Sequence, residues 1–164
     1  MIQLPPIPGW SDLHPLITHF PIALFVLLPL ALIAAGMSRK SINHVFLIAA
    51  LVLMLLATGF LYLTYFTGIA RATALEDISA AGAAIAHHRS LAGYTVSAFT
   101  FATVLFTMTL FVRRKLKLED MRELTPWIPF SFIVFYALGA FWLVLTAHQG
   151  AMLAHELLPG AGGR

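Results

Sequence analysis

The chain contains no cysteine. That excludes disulfides, thiolate metal sites and covalent c-type haem attachment, so a metal has to be held by His, Met, carboxylate or Tyr. Charge is scarce too: 10% of the 164 residues are charged, against about a quarter in a soluble domain. With 60% hydrophobic residues and a mean hydropathy of +0.88, there is too little polar surface to cover a core in water, and the outside is expected to face lipid. No basic n-region precedes the first apolar stretch, so no cleavable signal peptide is expected and the first span is read as retained. Internal repeats, low-complexity tracts and long linkers are not visible, which predicts a single domain over residues 1–164. Gly-rich phosphate loops, metalloprotease histidine pairs and nucleophile elbows are missing as well, and hydrolase chemistry has no support.

What the chain does have is four apolar stretches, at about 16–37, 45–68, 88–112 and 128–147, each near the roughly 20 residues a helix needs to cross a bilayer. The fold class is therefore all-α, an integral membrane four-helix bundle. Pro21 lies inside the first span, where it removes the bond to the Ile17 carbonyl and predicts a break near His19. The segment from Ile69 to Ala86 is less apolar and reads as an interfacial helix or an early start to the third span. Gly59, Gly93, Ala98 and Gly139 mark either close helix contact or room for a flat cofactor.

Although the pI of about 9.6 is high, the basic residues lie in short inter-helix segments rather than along one face, so no nucleic-acid partner is expected. They are topology signals. Arg39, Lys40, Arg113, Arg114, Lys115, Lys117 and Arg122 follow spans one and three, whereas only Arg71, Arg89 and Arg164 lie on the other side. Seven of ten on one side place it in the cytoplasm and predict both termini outside (N-out/C-out), facing the periplasm if the membrane is a bacterial inner membrane.

That topology gathers six of seven histidines at the extracytoplasmic face: His14 and His19, His87 and His88, His148 and His155. Polar groups at membrane depth are costly and usually turn into the bundle, so these are expected to converge on a cofactor. A plainer alternative is that they bond to headgroups and freed carbonyls. His19 and His88 are the expected axial ligands, with His14 and His148 nearer the surface as a second pair or as orienting residues. His14 and His19 diverge by roughly 140° on a helix. His87 can exchange roles with His88, His155 is expected to be a bystander, and His44 is a solvated residue on the cytoplasmic side.

Haem b, one or two, fits His on facing helices with small residues between them and Arg89 or Arg71 for the propionates. Copper or zinc is the alternative, although Asp12, Glu76, Asp77 and Glu156 lie outside the spans. Tyr62, Tyr65, Trp10 and Trp142 read as an aromatic belt or the lining of a quinone pocket.

The stretch Leu13-His14-Pro15-Leu16-Ile17-Thr18-His19-Phe20-Pro21-Ile22-Ala23-Leu24 resembles the signature of the bacterial membrane-protein family of domain of unknown function 2231, and the likeness extends over nearly the whole chain. His88-Arg89-Ser90-Leu91-Ala92-Gly93 is similar to that family's opening of its third span. His148-Gln149-Gly150-Ala151-Met152-Leu153-Ala154-His155 resembles its pattern at the fourth, with Ala151 and His155 departing from the usual Gly and Tyr. Because some relatives are joined to c-type cytochrome segments, the resemblance implies redox work. The expectation is a small haem b protein moving electrons at the periplasmic face, between quinol and a periplasmic cytochrome or other redox carrier. The alternative is a non-catalytic membrane subunit, or a copper- or zinc-binding one.

Overall fold

The structure, a computed structural model, describes residues 9–73, 82–116 and 127–153. A 3-10 turn (Trp10–Leu13) leads into α1 (His14–Ile17) and α2 (His19–Met37), followed by α3 (Lys40–Thr73), α4 (Gly82–Lys115) and α5 (Trp127–Met152); no strand occurs among the described residues. Four helical stretches, His14–Met37, Ile42–Thr73, Gly82–Lys115 and Trp127–Met152, are long and apolar enough to cross a membrane, the architecture of a multi-pass membrane protein. Their outward faces carry Val26, Leu138 and Val144, each more than 60% exposed. A monomer in water does not leave such continuous apolar surface uncovered, so lipid is its solvent. The less apolar segment resolves partly into helix: α3 continues through Ile69 to Thr73 and α4 begins at Gly82. Leu75, Glu76, Asp77 and Ile78 lie outside the described residues.

Two prolines shape the first span. Pro21 has no N–H to give the Ile17 carbonyl, and the helix is interrupted at Thr18, whose backbone keeps right-handed helical angles. Pro29, deeper in α2, likewise frees the Phe25 carbonyl. There the Tyr136 hydroxyl of α5 donates to Phe25 O, the kind of repair a proline needs where water cannot reach. Tyr136→Phe is therefore expected to leave that carbonyl unpaired and cost about 1 kcal/mol, seen as a lower unfolding midpoint in detergent with helix content unchanged.

The helices pack in a ring, α2 on α3, α3 on α4, α4 on α5 and α5 back on α2. One end, where α1 and α4 begin, holds the histidines; the other holds Arg39, Arg113, Arg114 and Lys115. The core fills the axis in two clusters, one around Leu28, Leu32, Ala50, Phe106 and Phe132 and one around Phe25, Ala57, Leu61, Val96 and Phe99 nearer the histidines. Across the centre, Phe25 of α2 stacks on Phe99 of α4 at 3.9 Å between centroids.

That central pair exposes an internal repeat, contrary to the expectation of none. Phe25 and Phe99 are 74 positions apart, as are Phe20 and Tyr94, and the buried Leu28 and Ala102, and Leu32 and Phe106. Between α3 and α5 the spacing is 82: Phe60 and Trp142, and the buried Ala50 and Phe132. Equivalent contacts form in both halves, for Phe20 stacks on Phe60 at 5.0 Å and Tyr94 on Trp142 at 5.6 Å. The bundle is two similar helical hairpins related by a pseudo-two-fold along its axis, a parallel membrane repeat.

Candidate functional site

Each hairpin contributes one inward imidazole in the same setting. In the first, His14 opens α1 and its Nδ1 lies 3.0 Å from the Thr64 carbonyl and 3.2 Å from Thr67 Oγ1, both on α3. A carbonyl only accepts, so Nδ1 carries the proton and donates it. Thr67 also accepts, since its own hydroxyl donates to the Leu63 or Thr64 carbonyl. The Nε2 lone pair of His14 is thereby left as the available donor. The ring comes up against Gly68, where a Cβ would stand 2.9 Å from Cε1; only glycine admits it without a shift.

The second hairpin repeats this with one gap. His88 on α4 rests on Gly150 of α5, where a Cβ would stand 3.1 Å from Cε1. Its Nδ1 is buried without a hydrogen-bond partner; it faces the Thr146 carbonyl without closing a bond of good geometry. Thr64 and Gly68 on one side, and Thr146 and Gly150 on the other, stand in the same Leu-Thr-x-x-x-Gly pattern, at Leu63 and Leu145. They keep the 82-residue spacing, and His14 and His88 keep the 74. The two imidazoles lie within electrostatic reach of each other at the histidine end of the bundle.

The other expected ligands are placed differently. His19 does not reach into the bundle: it is exposed, and its Nδ1 donates to the Pro15 carbonyl at 2.7 Å beside the Thr18 hydroxyl, which donates to the same oxygen. It braces the interrupted helix two residues before the Ile17 carbonyl. The 140° between His14 and His19 means that only one can face the axis, and the Gly68 seat selects His14. His87 and His148 are exposed, and His44 is exposed on the first turns of α3. Convergence is thus limited to two side chains, and no group of three or more His, Cys, Asp or Glu suited to a metal occurs among the described residues. His155 and Glu156 lie outside the described residues.

Of the two arginines, Arg71 is engaged with Asp12 at 3.0 Å, tying the 3-10 turn to the end of α3. Arg89 is exposed and lines an open groove with Tyr65, Ala86, Ser90, Gly93, Tyr94 and Ser97. The small residues singled out from sequence split by role. Gly139 receives the Phe99 ring at 3.0 Å from its would-be Cβ, whereas a Cβ at Gly59 or Gly93 would meet nothing within 4 Å. Gly68 and Gly150, the two that matter at the histidines, escaped notice; the signal was the shared Leu-Thr-x-x-x-Gly at the ends of the second and fourth spans. The chain matches no family model, no curated protein and no solved structure.

Proposed function

We propose that the protein is a small membrane haem b protein that passes electrons at its histidine end, with His14 and His88 as the residues that would hold the haem. One observation carries this reading: two inward imidazoles on diagonal helices, of which His14 has Nδ1–H fixed on a carbonyl and Nε2 unengaged. That is the arrangement by which a protein sets the tautomer and basicity of a metal-bound histidine. His88 supports it too, since it rests on Gly150 as His14 does on Gly68 and turns Nδ1 toward the Thr146 carbonyl, presenting a second half-buried imidazole in the same setting. A two-imidazole donor set suits the two axial positions of haem and falls short of the four ligands zinc prefers.

Bound there, haem supplies reversible one-electron redox chemistry in the outer part of the bundle. The chain's own residues do the rest. Thr64 and Thr67 hold the His14 proton at Nδ1, Gly68 and Gly150 let both rings close onto their neighbouring helices, and the Phe25–Phe99 stack seals the site from below. A quinol in the bilayer and a periplasmic cytochrome or similar carrier are the proposed electron donor and acceptor. The resemblance to the family of domain of unknown function 2231 points the same way.

A reduced-minus-oxidised spectrum with metal analysis of the protein from haem-replete cells tests the reading. Soret and α bands of a bis-histidine haem are the expected result; a colourless, metal-free protein refutes it, and copper without haem replaces it with the copper alternative. The seven basic residues following spans one and three further support an orientation with the histidine end in the periplasm of a bacterial inner membrane. Single cysteines at Ser11 and Gly162 are then expected to react with an impermeant maleimide in intact cells, while one at Leu118 reacts only after lysis. The reverse pattern overturns the orientation.

A further inference from the structure

The two hairpins match closely at the axis, so the places where they part are informative, and one of these is on the outer face of α4. Ala86, Ser90, Gly93 and Ser97 form the floor of a groove there, with Tyr65 of α3 and Tyr94 as walls and Arg89 at its histidine end. Tyr94 is braced by Trp142. Below, the hydroxyls of Tyr62 and Thr100 meet at 3.1 Å, Thr100 accepting, and join α3 to α4 at the foot. At the repeat-related positions of the first hairpin stand Pro15 for Arg89, Leu16 for Ser90 and His19 for Gly93. Neither the positive charge nor the hollow is thus a consequence of the shared fold.

The groove is open along its length and offers about 470 Å³ beside the helix. From Ala86 to Ser97 it runs roughly 16 Å along the helix, about half the ~30 Å hydrocarbon thickness, or one leaflet. Its polar atoms also differ from their neighbours. Four threonines of α4, Thr95, Thr100, Thr107 and Thr109, donate to carbonyls of their own helix. Among the described residues, the hydroxyls of Ser90, Ser97, Tyr65 and Tyr94 have no such bond. A cation with several free donors at the headgroup end of a lipid-facing channel is complementary to a ligand rich in anionic and ester acceptors with an apolar tail.

We propose that this groove is a binding site for a phospholipid of the histidine-end leaflet. Arg89 and Ser90 hold the phosphate and glycerol-ester oxygens, and one acyl chain lies over Gly93 toward Ser97 between the two tyrosines. The site is independent of the haem reading.

The test is native mass spectrometry of the delipidated full chain, titrated separately with phosphatidylglycerol, with diacylglycerol of the same tails, with inorganic phosphate and with a short-chain ubiquinone. Phosphatidylglycerol is expected to bind about tenfold more tightly than diacylglycerol, a difference that Arg89→Gln abolishes. Gly93→Leu is expected to weaken both lipids at least fivefold by filling the channel. Because a Cβ at Gly93 meets open space, that variant is expected to fold, which an unchanged melting curve checks. Phosphatidylglycerol affinity unaltered by either substitution overturns the site. Inorganic phosphate bound as tightly as the lipid shows a free-anion site instead, and ubiquinone displacing the lipid at equal concentration shows a quinone site; either result overturns the proposal.

Discussion

His14→Ala and His88→Ala are each expected to abolish the bis-histidine haem spectrum, whereas His19→Ala and His44→Ala leave haem content at the parental level. The reasoning starts from where the rings are. His14 and His88 sit in glycine seats at the axis, while His19 is exposed and spends its Nδ1 proton on the Pro15 carbonyl. Loss of one axial imidazole removes a metal bond and leaves the ring held from one side only. Substituting His19 removes a helix-bracing hydrogen bond of about 1 kcal/mol, which lowers thermal stability and has no spectral signature. Imidazole added to either alanine variant is expected to restore the spectrum partly, since the cavity left by the side chain has the shape of the free base. Parental haem content in His14→Ala, together with loss in His19→Ala, defeats the assignment of ligands and leaves a cofactor in place.

The number and position of the spans were legible because a bilayer demands a long apolar run whatever the side-chain detail. So was the gathering of histidines at one end, which needs only span order. Which histidine faces inward was not. Depth along the helix favoured His19 over His14, but inwardness is a matter of rotation, and rotation is decided by the partner helix. Gly68 on α3, 54 positions away, offers the seat His14 fills. The internal repeat was hidden for a related reason. The α2–α4 pair repeats at 74 and the α3–α5 pair at 82, because the connection after α2 is only Ser38-Arg39 while that between α4 and α5 spans about ten residues. No single period brings both helices of a hairpin into register, and the matched positions share size and burial more than identity: Leu32 pairs with Phe106, and Ala50 with Phe132. Pro29 was equally silent in sequence, since the Tyr136 hydroxyl that repairs it comes from the last span.

The glycine seats give the second large effect, and one that does not depend on any cofactor. In a helix interior, Gly→Ala usually stabilises by about 0.5–1 kcal/mol, and at Gly59 or Gly93, where the new Cβ meets nothing within 4 Å, that is the expected sign. At Gly68 the Cβ would stand 2.9 Å from the His14 ring, closer than real Cβ contacts come, and at Gly150 it would stand 3.1 Å from His88. His14 is held against that same helix by Thr64 and Thr67, so moving the ring away from α3 to relieve the clash means breaking those bonds. Gly68→Ala is therefore expected to destabilise by about 2 kcal/mol, and to weaken any ligand held by the imidazole by 10–100-fold, as the loss of orienting partners does at metal sites. Gly150→Ala should do less, because its overlap is smaller and His88 Nδ1 has no bond to lose. A double-mutant cycle makes the cause visible. In a His14→Ala background the ring is gone, and Gly68→Ala is expected to revert to the mild stabilisation seen at Gly59. Unfolding in detergent of the two single variants and the double, followed by circular dichroism, measures it. If Gly68→Ala costs the same stability with and without the His14 side chain, the penalty comes from another neighbour of α3, and the seat is not what turns His14 toward the axis.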